Sequence, residues 1–188
     1  MNYQIIRDDD IVAAYVLLDQ EHCYSHEHEQ AYELLKNVMW DFYKEDTEKL
    51  HIEKGIHGKP FFVDSGVQFN ISHCKGMAAC AVSKIFCLGI DVENVRPYRK
   101  NVAKRVMTGL ELQKLEQAED KDAFFFRVWT AKESLVKMSG DGIIRELNQM
   151  DSLENRLIVG RHEVVHDKEH FLISIAAEKK INIPVDIY

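Results

Sequence analysis

Cysteine, proline and long apolar runs are scarce in this sequence. Its 188 residues include four cysteines, none in a CxxC pair, and three prolines. So few cysteines do not indicate a disulfide framework, and we expect reduced thiols and a cytoplasmic location. No apolar run approaches the roughly 20 residues that span a bilayer, and the first eight residues lack the basic start and apolar core of a signal peptide. We therefore expect no membrane partner.

Basic residues are scarce in the first quarter of the chain. Residues 1–50 hold 12 acidic and 4 basic side chains, whereas residues 51–188 hold 19 and 20. This distribution argues against nucleic acid as a partner. It also makes the later part of the chain the better place for a phosphate or an acidic protein to bind.

The hydrophobic pattern predicts a mixed α+β chain. Apolar residues from Ala31 to Phe42 recur at helical spacing, Thr108 begins a capping box, and a further helix is expected from about Asp122 to Met138. Strands are expected at residues 3–6, 11–18, 61–63, 67–72, 77–83, 86–93, 156–159, 163–166 and 171–177.

The order strand, helix, strands occurs twice along the chain. It predicts two pseudosymmetric lobes, residues 1–84 and 85–188, each a small antiparallel sheet packed on helix. The active site is then expected at the interface between the lobes.

One predicted strand, residues 86–93, carries two carboxylates at alternate positions. Because side chains alternate on a strand, Ile90 and Val92 point to one face while Asp91 and Glu93 point to the other. Carboxylates two residues apart lie roughly 6 to 7 Å from each other, close enough to share one hard cation. The alternative is a half-buried strand with a solvated acidic face.

The last predicted helix carries a second charged face. Trp129, Lys132, Glu133, Val136 and Lys137 share one side, and Glu133 lies one turn before Lys137. An exposed ion pair at i,i+4 is the alternative interpretation. The large aromatic side chain among these charges argues for a site.

These segments together resemble a known family. GIDVE at 89–93, followed by WTAKESLVK at 129–137, resembles the GIDxE strand and WxxKExxxK helix of the 4′-phosphopantetheinyl transferases. GKP at 58–60 and NISH at 70–73 resemble segments of the larger, surfactin-synthetase type, a single chain of two pseudosymmetric halves. The resemblance spans roughly residues 55–142.

The resemblance implies a Mg²⁺-dependent reaction, with Mn²⁺ as a possible substitute. Phosphopantetheine passes from coenzyme A to a serine of an apo acyl or peptidyl carrier protein, releasing adenosine 3′,5′-bisphosphate. By similarity Asp91, Glu93 and Glu133 ligate the metal. Glu133, directly or through a metal-bound water, takes the serine proton, and Lys137 stabilises the leaving bisphosphate.

The resemblance also implies two binding surfaces. The residues expected to hold coenzyme A are Lys59, Ser72, His73, Asp91, Lys132 and Lys137, although Lys132 reads equally well as a solvated neighbour. Lys104 and Arg105, in a basic stretch that starts at Arg96, are expected to dock the acidic carrier.

Some questions stay open at this stage. The N-terminal helix is acidic where relatives often place basic residues toward the 3′-phosphate of coenzyme A, so its binding is unassigned. The competing functions are a carrier-protein or coenzyme A binding module without turnover, and another Mg²⁺-dependent phosphoryl transferase or phosphohydrolase. A chain holding both halves is expected to act as a monomer.

Overall fold

A computed structural model describes residues 1–8, 10–19, 24–140 and 147–179. The strands are β1 (Gln4–Asp8), β2 (Ile11–Leu17), β3 (Ile52–Lys54), β4 (Pro60–Phe62), β5 (Gln68–Cys74), β6 (Met77–Ser83), β7 (Phe86–Asn94), β8 (Ile158–His166) and β9 (Glu169–Lys179). The helices are α1 (Tyr24–Val38), α2 (Lys100–Val106), α3 (Gly109–Gln117) and α4 (Lys121–Ser139).

The strands form three antiparallel sheets. The first has the order β1-β2-β6-β5, the second is the β3-β4 hairpin, and the third has the order β7-β9-β8. Both faces of the first sheet are covered, since Val12 and Ala14 pack with α1, whereas Ile11 and Ala13 pack on the third sheet. The mixed α+β fold with small antiparallel sheets on helices is confirmed.

The third sheet separates the first sheet from α4. Leu88, Ile90 and Val92 of β7 point into the core shared with the first sheet. From the opposite face of β9, Leu172 and Ala176 pack into two clusters with α4 residues. Asp91 and Glu93 therefore lie on the α4 side of β7, as strand alternation requires. The boundary at residues 84 and 85 and the pseudosymmetry of the lobes stay predictions.

Three local features differ from the predicted elements. The short strand β3 was not predicted, and α1 ends at Val38 in a π-helical turn, Met39–Tyr43. The two strands predicted at 156–159 and 163–166 form one strand, β8, whose register shifts between Ile158 and Gly160. A bulge accommodates one extra residue without ending the strand, so the break in periodicity did not mark a turn.

In the described residues no helix is long and apolar enough to cross a membrane.

Gly89 marks the place where α4 lies directly against β7. A Cβ atom at this position would stand 2.1 Å from the Ser134 carbonyl oxygen and 2.4 Å from the Met138 nitrogen. Both are backbone atoms, so no side-chain rotation relieves the overlap. Only glycine lets the helix approach this closely, and the approach sets the distance between the side chains of β7 and α4.

A second fixed point of α4 is a fully buried ion pair. Lys132 Nζ donates to Glu111 Oε2 at 2.5 Å, to the Val106 carbonyl at 2.7 Å and to the Leu147 carbonyl at 2.8 Å. Neither charged side chain is exposed to solvent. Burial lowers the pKa of the Lys132 ammonium, and the adjacent Glu111 carboxylate acts in the opposite direction.

Glu111 joins this ion pair to the start of α3. Its Oε2 accepts from the Thr108 N–H at 2.7 Å, completing the predicted capping box. Its Oε1 accepts from the Ser152 N–H and hydroxyl. With every donor of Lys132 used, the prediction that Lys132 contacts a coenzyme A phosphate is wrong, because its ammonium points into the core.

We expect Gly89→Ala to lower the free energy of unfolding by about 3 kcal/mol, because α4 must move away from β7. Urea unfolding measures this. Gly109→Ala is the matched control, since a Cβ there meets nothing within 4 Å and alanine favours the helix it begins. A Gly89→Ala protein as stable as the Gly109→Ala protein would contradict the close contact.

Lys132→Met should cost about 3 to 5 kcal/mol of unfolding free energy, because it leaves the Glu111 carboxylate buried without its cation. Adding Glu111→Gln should recover part of this loss, since the unpaired buried charge is then gone while an amide oxygen can still accept from Ser152. Lys121→Met is the control; it breaks the partly exposed pair with Glu116 and should cost less than about 1 kcal/mol. Additive losses in the double variant would refute the buried pair.

Candidate functional site

β5, β7, α4 and the β3-β4 hairpin meet at a cleft of about 280 Å³. The cleft is polar and carries both signs of charge. Its charged and titratable lining residues are His28, Tyr32, Lys54, His73, Asp91, Glu93 and Lys137. The carboxylates come from β7 and the ammonium of Lys137 from α4, so the contact at Gly89 brings them to one place.

Three polar side chains interlock at the base of the cleft. Lys137 Nζ donates to Asp91 Oδ1 at 2.7 Å and to Ser72 Oγ at 2.9 Å. The Ser72 hydroxyl donates to the same Asp91 oxygen at 3.0 Å. Lys137 lies 65 positions after Ser72 and 46 positions after Asp91, yet the three side chains form one cluster. The sequence did not predict these contacts.

Asp91 is buried rather than solvated. Its exposed fraction is 5%, which excludes the alternative of a wet acidic face at this position. Burial raises the pKa of the Asp91 carboxyl, and the Lys137 ammonium counteracts the shift. Asp91 Oδ2 is buried with no hydrogen-bond partner among the described residues. A buried carboxylate oxygen without a partner is costly and is a place for a ligand to bind.

Glu93 and Glu133 complete an acidic group around Asp91. Burial raises the pKa of Glu133, and the charges of Asp91 and Glu93 raise it further, although Lys137 opposes them. Burial also raises the pKa of Glu93, whose Oε2 accepts from Arg96 at 2.8 Å. The three carboxylates therefore repel one another through a poorly solvated region, which a cation would relieve.

The carboxylates around Asp91 match a divalent cation in chemistry but not in their present arrangement. Three carboxylates, one of which has an unpartnered buried oxygen, suit Mg²⁺, which prefers hard oxygen ligands. In the described part of the chain, however, no three His, Cys, Asp or Glu side chains are already grouped to hold a metal ion. The ligand chemistry fits, whereas the side-chain arrangement seen here pairs Asp91 with Lys137 and Glu93 with Arg96 instead.

His73 lies at the opposite wall of the cleft. Its ring packs edge-on against His28, with centroids 5.4 Å apart, and its Nδ1 stands 4.0 Å from the buried Glu27 carboxylate. Burial lowers the pKa of His73, and the neighbouring His28 and Lys137 lower it further. His73 thus faces the cleft, in a setting that favours its neutral form.

Lys59 ties the hairpin loop to the base of the site. Its ammonium donates to the carbonyls of Leu88 at 3.0 Å and Met138 at 2.9 Å. Burial lowers the pKa of Lys59 to about 8. It lines a second cleft of about 240 Å³ that also includes Lys137. Backbone carbonyls use two of its three N–H donors, which leaves at most one for a phosphate.

Lys104 and Arg105 are exposed on α2, as a docking surface requires. An aromatic groove of about 320 Å³, bounded by Tyr98, Phe125 and Trp129, contains Arg96 and Arg99 from the same basic stretch. Arg96 lies over the Phe126 ring at 4.5 Å and also binds Glu93. Trp129 thus packs with aromatic neighbours, which explains a large ring beside the charged face of α4.

Sequence reasoning missed Lys54, Tyr32 and His28 as residues of the cleft. Lys54 ends the short strand β3, which was not predicted, and the other two lie on the helix that was set aside as acidic. A usable signal was the spacing of His28 and Tyr32, one turn apart on α1 with ring centroids 5.2 Å from each other.

Comparison with known proteins identifies the family of this chain. Residues 87–181 match the family model of the 4′-phosphopantetheinyl transferase superfamily. The 4′-phosphopantetheinyl transferase HetI of Nostoc sp. is 33% identical over 120 residues, covering 60% of this chain and 51% of that protein. The transferase Sfp of Bacillus subtilis is 33% identical over 128 residues, covering 66% and 55%.

The chain spans about half the length of these relatives. A solved structure, the holo-[acyl-carrier-protein] synthase AcpS of Thermotoga maritima, aligns with a TM-score of 0.39 at 20% identity, covering 51% of this chain and 65% of that one. The family model covers half of the residues, including β7 from Cys87 onward and all of α4. The chain belongs to the 4′-phosphopantetheinyl transferase superfamily.

Proposed function

We propose that this protein transfers 4′-phosphopantetheine from coenzyme A to a serine of an apo acyl or peptidyl carrier protein. The observation that carries the proposal is the cluster of Asp91, Lys137 and Ser72 in a cleft, with Glu133 one turn before Lys137. These residues lie within the segments that carry the family motifs. Adenosine 3′,5′-bisphosphate is the proposed second product.

In the proposed reaction the carrier hydroxyl attacks the phosphorus that bears the pantetheine arm. Glu133 accepts the hydroxyl proton; its raised pKa makes its ionised form a stronger base than an exposed carboxylate. The bond from phosphorus to the bridging oxygen breaks, and its electron pair leaves with the adenosine bisphosphate. Lys137, whose third N–H is not used by Ser72 or Asp91, offsets the charge on that leaving group.

We further propose that Asp91, Glu93 and Glu133 hold Mg²⁺, with Mn²⁺ as a substitute. Support comes from the unpartnered Asp91 Oδ2 and from the mutual repulsion of the three carboxylates. The ion would neutralise phosphate charge and orient the pyrophosphate of coenzyme A. Arg96 and Lys137 supply positive charge at Glu93 and Asp91.

The substrate surfaces follow from the same cleft. We propose that coenzyme A lies between His73 of the first cleft and Lys59 of the second, and that its phosphates face Lys137, which lines both. The acidic carrier would dock on Lys104 and Arg105, whose charge lies on exposed side chains of α2.

The remaining parts of the proposal rest on the sequence pattern. The cysteines described as free, Cys74, Cys80 and Cys87, suit a reducing compartment such as the cytoplasm. Because β7 and α4 of one chain supply the whole acidic group, a monomer suffices for the reaction. We keep residues 1–84 and 85–188 as the two proposed lobes.

The proposed activity is tested by incubating the protein with coenzyme A, Mg²⁺ and an apo carrier, then weighing the carrier. A mass gain equal to one phosphopantetheine is expected. Tight carrier binding without a mass gain would instead favour a binding module, and hydrolysis of coenzyme A without a carrier would favour a phosphohydrolase. Omitting the metal should abolish the gain.

In the same assay Glu133→Gln should lower kcat by about 10²- to 10⁴-fold, because the variant has no base to accept the serine proton. Glu119→Gln is the matched control, as that side chain lies on an exposed turn between α3 and α4. Circular dichroism checks that both proteins are folded. Full turnover by a folded Glu133→Gln protein would rule out its proposed role.

Charge reversal at the docking surface, Lys104→Glu with Arg105→Glu, should raise the KM for the carrier about tenfold and leave the KM for coenzyme A unchanged. The effect should shrink at high salt, since exposed charges are screened. A pair with the same change in charge, Lys49→Glu with Arg156→Glu, serves as control because both residues are exposed and lie outside the basic stretch. Equal effects of the two pairs would mean that net charge alone matters.

A further inference from the structure

The first and third sheets meet through side chains of β5. The Asn70 Oδ1 atom accepts the Ile90 N–H at 2.9 Å, and the Ser72 Oγ atom accepts the Val92 N–H at 3.2 Å. Alternate side chains of β5 thus accept hydrogen bonds from alternate N–H groups of β7, in place of the backbone carbonyls of a neighbouring strand. Ser72 therefore has a structural attachment to the strand that carries Asp91.

The hydrogen-bonding capacity of the Ser72 hydroxyl is already filled. A hydroxyl has one donor and two acceptor sites. Its donor goes to Asp91 Oδ1, and its acceptor sites take the Val92 N–H and the Lys137 ammonium. The side chain is 4% exposed. To donate to a phosphate, Ser72 would have to release Asp91, which is itself buried and short of partners.

The same hydroxyl also fixes the relative position of two reactive groups. Asp91 Oδ1 and Lys137 Nζ both contact Ser72, so the three atoms form a closed triangle with sides of 2.7, 2.9 and 3.0 Å. Holding Oδ1 in this way leaves Oδ2 as the oxygen available to a ligand. It also limits the rotamers of a long, flexible lysine to one that keeps its ammonium at the cleft.

From this geometry we propose that Ser72 is a positioning residue for Asp91 and Lys137, and that its hydroxyl does not bind the phosphates of coenzyme A. The proposal rests on the proposed transferase function and replaces the role expected for Ser72 from the family resemblance. Ser72 acts on the reaction through its two charged neighbours. Its loss should therefore affect turnover rather than the affinity for coenzyme A.

The third sheet offers a closely matched control. Ser174 pairs with Asp91 across the β7-β9 ladder and is 1% exposed. Its hydroxyl bonds the Thr130 hydroxyl of α4 at 2.8 Å. Ser174→Ala therefore removes a buried serine hydroxyl between the third sheet and α4. It removes no hydrogen bond of Asp91 or Lys137.

The kinetic test compares Ser72→Ala with Ser174→Ala. Ser72→Ala should lower kcat about 10- to 100-fold, the effect expected when a hydrogen bond to charged groups is lost. Its KM for coenzyme A should stay within about twofold of the parent value. Ser174→Ala should lose comparable stability in urea while keeping kcat.

Two kinetic outcomes would overturn the proposal. A rise in the KM for coenzyme A with kcat intact would make Ser72 a phosphate ligand. Equal losses of kcat in the two variants would reduce Ser72 to a general packing role.

A second measurement does not depend on turnover. The ¹⁵N signal of the Lys137 ammonium, assigned by its absence in Lys137→Met, should be slow to exchange in the parent protein and in Ser174→Ala. It should be lost to exchange in Ser72→Ala. If the parent shows this signal but no transfer to any carrier, the proposed function fails while the positioning role stands. If the signal survives in Ser72→Ala, the positioning role fails.

Discussion

The contact between β7 and α4 at Gly89 determines the geometry of the whole cleft. Since side chains alternate on β7, Asp91 and Glu93 leave the strand on the same face as Gly89, which is the face that α4 covers. Lys137 lies on the helix beside the backbone atoms that approach Gly89 most closely. An ion pair between Asp91 and Lys137 is thus the side-chain result of a backbone contact.

Two regular spacings made the core of the site predictable. Period-two alternation placed Asp91 and Glu93 together, and the i,i+4 rule placed Glu133 beside Lys137. The structure also brings Lys137 to Asp91, a contact that neither spacing predicted. Both rules act within one element, and for that reason they can be applied without knowledge of the fold.

The same rules fail where partners come from elsewhere in the chain. The helical spacing grouped Lys132 with Glu133 and Lys137. Lys132 instead points into the core, because it forms a buried ion pair with Glu111, 21 residues earlier. Glu111 was recognised only as a capping residue. Likewise the links of Ser72 to Val92 and Asp91 were not predicted, because they depend on how two sheets meet. Such contacts require tertiary information.

The use of Asn70 and Ser72 as substitutes for a backbone ladder has a consequence for self-association. β7 lies at the edge of its sheet, and an open edge is a template for pairing with strands of other molecules. The two side chains occupy the Ile90 and Val92 N–H groups that an incoming strand would need. The motif that supports the cleft thereby also occupies an open sheet edge, so substitutions at Asn70 should favour association between molecules as well as disturb the cleft.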